Sequence, residues 1–326
     1  LESHHFGERW GRHWLDVARY AESTGKEWNW AHPEAWRYRD YVIESFNEDK
    51  AYDQFLREQI AGDLLPADGQ DQRDKQLVAT GFLAIGPKAV SINNDEEFGL
   101  ELADEQINTV SRAILGLTVG CARCHDHKFD PISAEDYYAL SGIFLSTQTL
   151  FGTSANGYKG RNNKQGTPLL PIGPDAEKIH QAFVDYQARV KSLSSELEEK
   201  NDALKTLVEE RLEKEGRREE AGDQVEQEAN DKGLGTRIAQ QQDVIEKLEQ
   251  ELEQLKSNSP PPAEYAMGVR DRDEPKDCEL RLGGEFDQKG DPVPRGFLSS
   301  LKVVDGLRVP AEQSGRRELA EWLSHR

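Results

Sequence analysis

The sequence predicts a mainly α protein: a helical domain bearing a Cys-x-x-Cys-His motif, a long antiparallel helical hairpin and a small β segment. Three observations predict it. Apolar residues recur at helical spacing through the first 150 positions. Between residues 175 and 258 that spacing becomes heptads. After Pro260 the apolar runs shorten and are broken by Gly, Asp and Pro.

The first helix is read from Phe6, Trp10, Trp14, Val17 and Ala21, which share one helical face and are expected inside. Pro33 is placed to open a second helix containing Trp36, Tyr41, Val42 and Phe46. Tyr52, Phe55, Leu56 and Ile60 mark a third, and Gln76 to Ile85 a fourth that Gly86-Pro87 ends. Lys88 to Glu97 is polar and reads as a loop. Leu100 to Thr118 reads as a helix with Ile107, Val110, Ile114 and Leu117 on one stripe. Continued, that rhythm reaches Cys121 and Cys124 and turns both thiols inward to an apolar pocket, unless Gly116 and Gly120 break the helix. Ser133 and Asp136 have capping-box spacing and open a helix through Phe144. Gly152 to Gly173 reads as a loop and boundary.

Ile179, Phe183, Tyr186, Val190, Leu193, Leu197, Leu204 and Leu207 form one heptad seam. Leu234, Ile238, Gln241, Ile245, Leu248, Leu252 and Leu255 form the second, and Gly216, Gly222, Gly233 and Gly235 lie between. Short strands are expected at Tyr265–Val269, Cys278–Leu282 and Phe297–Val304, with a last helix from Glu318. The resulting division is 1–174, a helical cytochrome-like domain; 175–258, the hairpin; 259–312, the β segment; and 313–326, the start of a following domain. The opening at Leu1 already reads as helix interior, so the chain is taken as part of a longer protein, with a signal sequence expected in the preceding part.

Composition narrows the partners. Lys plus Arg is 41 against 61 Asp plus Glu, a net charge of −20, which repels nucleic acid and anionic lipid. No apolar run approaches the roughly 20 residues that span a bilayer. From Glu196 to Lys256 there are 19 acidic and 10 basic residues, which fits a solvated spacer better than a docking arm. The three cysteines, Cys121, Cys124 and Cys278, do not make a disulfide framework.

Cys121-Ala122-Arg123-Cys124-His125 is the attachment signature of a c-type haem. Cysteines three apart on a helical turn project from nearly one side, so two thioethers can hold one porphyrin. The adjacent imidazole then serves as proximal iron ligand. A zinc site lacks a second Cys/His pair nearby and would need His127 or Asp130 from the same short loop. A thioredoxin-like pair lacks a preceding strand and helix, and chance pairing of two buried cysteines is the plain alternative. Candidates for a second axial ligand are His13, Met267, the sole methionine, and His127. His127 stands too close to His125 to reach the opposite haem face easily, and a local hydrogen bond suits it better. The aromatic and arginine cluster from Arg9 to Arg39 reads as core edge, or alternatively as a sugar-stacking surface. Cys278 reads as an inert buried thiol.

The segments Gly7–Ser23, Trp36–Ile43, Gln59–Pro66 and, most specifically, Gly116–Ile132 together resemble the planctomycete-type cytochrome family. In that family a small cytochrome c domain precedes two larger domains of unknown function. This chain looks like most of the first of these. Val293–Leu298 and Arg316–Leu323 look like its join to the second. The resemblance implies haem c on Cys121 and Cys124, His125 as proximal ligand, and a periplasmic or extracellular setting. It also implies a redox partner protein or neighbouring cytochrome domain, and a link to polysaccharide use with carbohydrate as a possible partner. Electron transfer is the leading expectation. A carbohydrate-active haem oxidoreductase and a non-redox binding module, with a metal or nothing at the cysteines, are the alternatives.

Overall fold

The computed structural model describes residues 3–26, 28–152, 166–221, 227–261, 263–301 and 306–325. The fold is mainly α, as the spacing predicts, and among the described residues the strands pair only in twos. Two compact units are present: Leu1–Pro174 with Glu264–Arg326, and Asp175–Ala263. Residues 264–326, expected as a β segment and the start of another domain, are thus part of the first unit.

Helix α1 (Phe6–Val17) packs on α2 (Ala35–Asn47), but not by the face its aromatic spacing suggests. Gly7, Gly11 and Trp14 are its buried residues, while Trp10 and Val17 are 49% and 44% exposed. The reason is close approach. A methyl group on Gly7 would lie 2.1 Å from the Ile43 carbonyl oxygen, and one on Gly11 3.3 Å from Val42 Cγ1. Only the glycine stripe lets the two backbones meet. Trp36 is likewise exposed, and Arg37 lies over its ring. Trp14 is the anchor: its indole N–H donates to Tyr38 Oη and Gln59 Oε1, both at 2.9 Å. That satisfies a buried polar group that would otherwise be costly. Helix α3 (Tyr52–Ala61) supplies Gln59 and Phe55 to this core.

The fourth predicted helix is two: α4 (Gln70–Ala79) and the single turn α5 (Gly81–Ala84). Helix α6 (Asp95–Val110) starts on an Asn94 cap that accepts from the Glu96 and Glu97 amides. Helix α7 (Ala134–Leu145) opens on the full Ser133–Asp136 capping box read from the sequence. Strands β1 (Thr147–Leu150) and β2 (Leu170–Ile172) pair antiparallel with β4 (Gly268–Asp271) and β3 (Glu264–Ala266) respectively. Strand β5 (Cys278–Arg281) pairs with β6 (Lys289–Val293). The strand expected at Phe297–Val304 is not one over 297–301, and 302–305 lie outside the described residues, as do 153–165 of the predicted Gly-rich loop.

Helix α10 (Arg316–Ser324) is held by Arg316, whose fully buried guanidinium reaches Asp63 Oδ1 at 2.6 Å and Asp271 Oδ1 at 2.5 Å. This triad ties the chain end to the turn after α3 and to β4, and explains why residues 313–326 join the first unit.

The second unit is the expected hairpin, α8 (Ala176–Ala221) and α9 (Gln227–Ser257). Leu193, Leu248 and Leu252 form its seam core, with Val190, Leu197 and Leu255 against them. Register is set by Arg189 on Glu251 and by Gln241, which donates to the Lys200 carbonyl at 2.9 Å. A polar group at a seam position fixes pairing in this way. The intervening Gly222 lies outside the described residues. No helix among the described residues is long and apolar enough to cross a membrane.

Candidate functional site

The helix that carries the apolar stripe toward the cysteines stops before it reaches them. After α6 the chain makes one wide turn at Ser111–Leu115, and Gly116 takes a left-handed conformation, φ 68°. Such a residue ends a helix, and glycine adopts it at no steric cost. A separate 3₁₀ turn then runs Val119–Arg123, with Cys124 as its closing residue. With three residues per turn, positions i and i+3 eclipse. Val119 and Ala122 are both fully buried, so Cys121 and Cys124 fall together on the outer side. The inward orientation expected for the thiols is therefore corrected: both are exposed and free.

The two residues between the thiols act as anchors. Ala122 enters the core, and Arg123 reaches back to Glu101 Oε1 at 2.7 Å and Asp104 Oδ2 at 4.0 Å. The Arg123 carbonyl accepts from Tyr138 Oη at 2.8 Å. The same hydroxyl is 3.2 Å from the Arg281 carbonyl on β5. Burial holds the Tyr138 phenol protonated, pushing it up to about 12, so it stays a donor. Gly120 presses against α6, where a methyl group would lie 2.5 Å from Asn108 Oδ1. Gly284, φ 80°, backs the other cysteine: a methyl group there would lie 2.6 Å from Cys124 Sγ.

His125 is exposed, and its Nδ1 lies 2.8 Å from the Asp126 carbonyl. A carbonyl only accepts, so Nδ1 carries the proton and Nε2 keeps its lone pair. Two thiols on one side of a turn, with an available imidazole nitrogen beside them, can form two thioethers and one metal bond. This donor set fits a c-type haem. Among the described residues no group of three or more His, Cys, Asp or Glu side chains is gathered as a metal cage.

The structure does not gather the other candidates around the motif. His13 is exposed on α1, 2.7 Å from Arg9 and against Trp10. Met267 is 2% exposed in the core between β3 and β4, with its backbone near Gly81. His127 is close by, with both ring nitrogens in hydrogen bonds. Cys278 is buried, and burial pushes its thiol up to about 11, which keeps it protonated and unreactive at neutral pH.

Sequence reading missed a second feature. An open cleft of about 1370 Å³ lies between α6, β4 and β5, walled by Glu96, Arg270, Asp273, Glu279, Arg281 and Lys289 among others. Arg281, on its wall, is the residue that Tyr138 links to the motif. The alternating charge of Arg270–Asp277 is the one signal that was available, and it reads equally well as an ordinary solvated turn.

No curated protein and no solved structure matches the chain. Over residues 1–149, which include the whole Cys121–His125 motif, the chain is similar to the family described as PSCyt2, a protein of unknown function (DUF1549).

Proposed function

We propose that this chain is a c-type haem-binding protein that transfers electrons outside the cytoplasm. The observation that carries the reading is the shared outward side of Cys121 and Cys124 on one 3₁₀ turn, with the His125 Nε2 lone pair beside it. Each thiol would add across one vinyl group of the porphyrin, sulfur to one carbon and hydrogen to the other. His125 would hold the iron, and the Asp126 carbonyl on Nδ1 would fix its tautomer and strengthen it as a ligand. When bound, the haem supplies one-electron redox chemistry. The chain's own contribution is rigidity. Ala122, Arg123 and Tyr138 seat the turn on α6, α7 and β5, which would hold the two attachment points in place.

Such attachment is made on the outer side of the cytoplasmic membrane, which supports a periplasmic or extracellular setting. A redox partner protein or a neighbouring cytochrome domain would exchange the electrons.

The test is expression in the periplasm of cells carrying haem-attachment machinery. Haem that stays with the denatured polypeptide and gives a c-type pyridine haemochrome is expected, and its loss in Cys121→Ser with Cys124→Ser. Haem that is extracted by acidic solvent, or no haem at all, would overturn the reading.

A further inference from the structure

We propose that His127 is the positioning residue of the motif: its imidazole clamps the two ends of the loop carrying Cys121, Cys124 and His125, without itself binding metal. This rests on the haem reading of the site and adds a role for a residue outside the Cys-x-x-Cys-His signature.

The geometry is a four-point closure. His127 Nδ1 accepts from the Phe129 amide at 3.2 Å and the Asp130 amide at 2.8 Å. Its Nε2 lies 3.0 Å from Thr118 Oγ1, at the entrance of the 3₁₀ turn. Its own amide donates to the Ile132 carbonyl at 2.8 Å. One side chain thus joins the residue that leads into the turn to the residues that leave it.

Both loop amides point at Nδ1, and the Asp130 carboxylate stands 3.4 Å from the same nitrogen. Two amides donate to Nδ1, so the proton sits on Nε2 and is given to Thr118. Neither nitrogen has a lone pair to spare for iron. The side chain is only 6% exposed, although Cys124, His125 and Phe129 around it are exposed. Pulling it out to reach a metal would strand two amides and a hydroxyl. A buried ring in an exposed loop, consumed on both nitrogens, is placed to set the spacing between the thiols and His125.

The test compares wild type with His127→Ala, His127→Asn and Thr118→Val, each produced with haem-attachment machinery. Covalent haem is expected in all four. In His127→Ala the midpoint potential shifts and the ferric spectrum becomes a mixture of spin states. His127→Asn, whose Oδ1 stands where Nδ1 does, recovers most of the wild-type spectrum. Thr118→Val moves the same way as the alanine variant, by less. Conversion to five-coordinate high-spin haem in both His127 variants, with Thr118→Val silent, would make His127 an axial ligand and overturn the proposal. Unchanged spectra and potentials throughout would overturn it too. If wild type carries no covalent haem, the haem reading fails separately, and the clamp is judged on the haem-free chain. Exchange of the Phe129 and Asp130 amides should then quicken about tenfold or more in His127→Ala, and equal exchange rates would overturn it.

Discussion

The Tyr138 hydroxyl on α7 is 2.8 Å from the carbonyl oxygen of Arg123, the residue between the two motif cysteines. Because it also lies 3.2 Å from the Arg281 carbonyl, one phenol joins the cysteine turn to the strand that walls the charged cleft. Tyr138→Phe keeps the ring and removes only this link. It should cost about 1–3 kcal/mol of stability, the usual penalty for stranding buried acceptors. Denaturant unfolding measures it, and a midpoint equal to wild type would show that the link is idle.

The exposure of both thiols makes them dispensable for stability, whatever their part in the proposed haem attachment. In the haem-free chain, Cys121→Ser with Cys124→Ser should leave unfolding within about 0.5 kcal/mol of wild type. Cys278→Ser places a hydroxyl in a buried site and should destabilise by about 1–3 kcal/mol. Equal losses from the two changes would contradict the outward placement of the motif.

His32 gives the fold an acid limit. It is 1% exposed, and burial, helped by the Lys88 ammonium, lowers its imidazole to about 4. The unfolded chain takes up the proton near pH 6.5, while the folded chain refuses it until about pH 4. Stability is therefore full above about pH 6.5 and falls as the pH drops through that window, by up to about 3 kcal/mol. His32→Gln should flatten this part of the curve. A pH-independent difference between the variant and wild type would refute the assignment.

Glycines in α1 and α9 should respond to alanine with opposite signs. Gly7→Ala forces the added carbon against the Ile43 carbonyl and should destabilise by about 1–3 kcal/mol. Gly233→Ala meets nothing within 4 Å and should stabilise the hairpin by about 0.5–1 kcal/mol through helix propensity alone. Thermal unfolding of the two variants checks both signs.

Arg316 should be among the most sensitive single sites in the first unit. Arg316→Met leaves the buried Asp63 and the half-buried Asp271 without their shared counterion, a loss of about 3–5 kcal/mol. Adding Asp63→Asn and Asp271→Asn should restore part of it. If the single variant unfolds like wild type, residues 313–326 are not locked to the first unit as described.

Much of the fold was legible because it depends on local periodicity. The hairpin seams from Ile179 and Leu234 are those in the structure, since a two-helix seam has one way to bury a heptad stripe. The capping box at Ser133 and Asp136 was equally readable, being a contact over three residues. The Cys121, Cys124 and His125 motif behind the haem proposal was likewise readable in the sequence, because residue type and spacing limit which bonds those side chains can form.

Tertiary structure decided the rest. Aromatic spacing in α1 named Trp10 and Val17 as core, but Gly7 and Gly11 face α2 because only residues without a Cβ admit so close a backbone approach. The stripe of α6 pointed the thiols inward, and Gly116, by taking a left-handed conformation, ended that stripe and reset the phase. Burial of Val119 and Ala122 then turned the cysteines outward. Periodicity runs along one element, whereas the direction a motif faces depends on where that element stops and what the next one packs against.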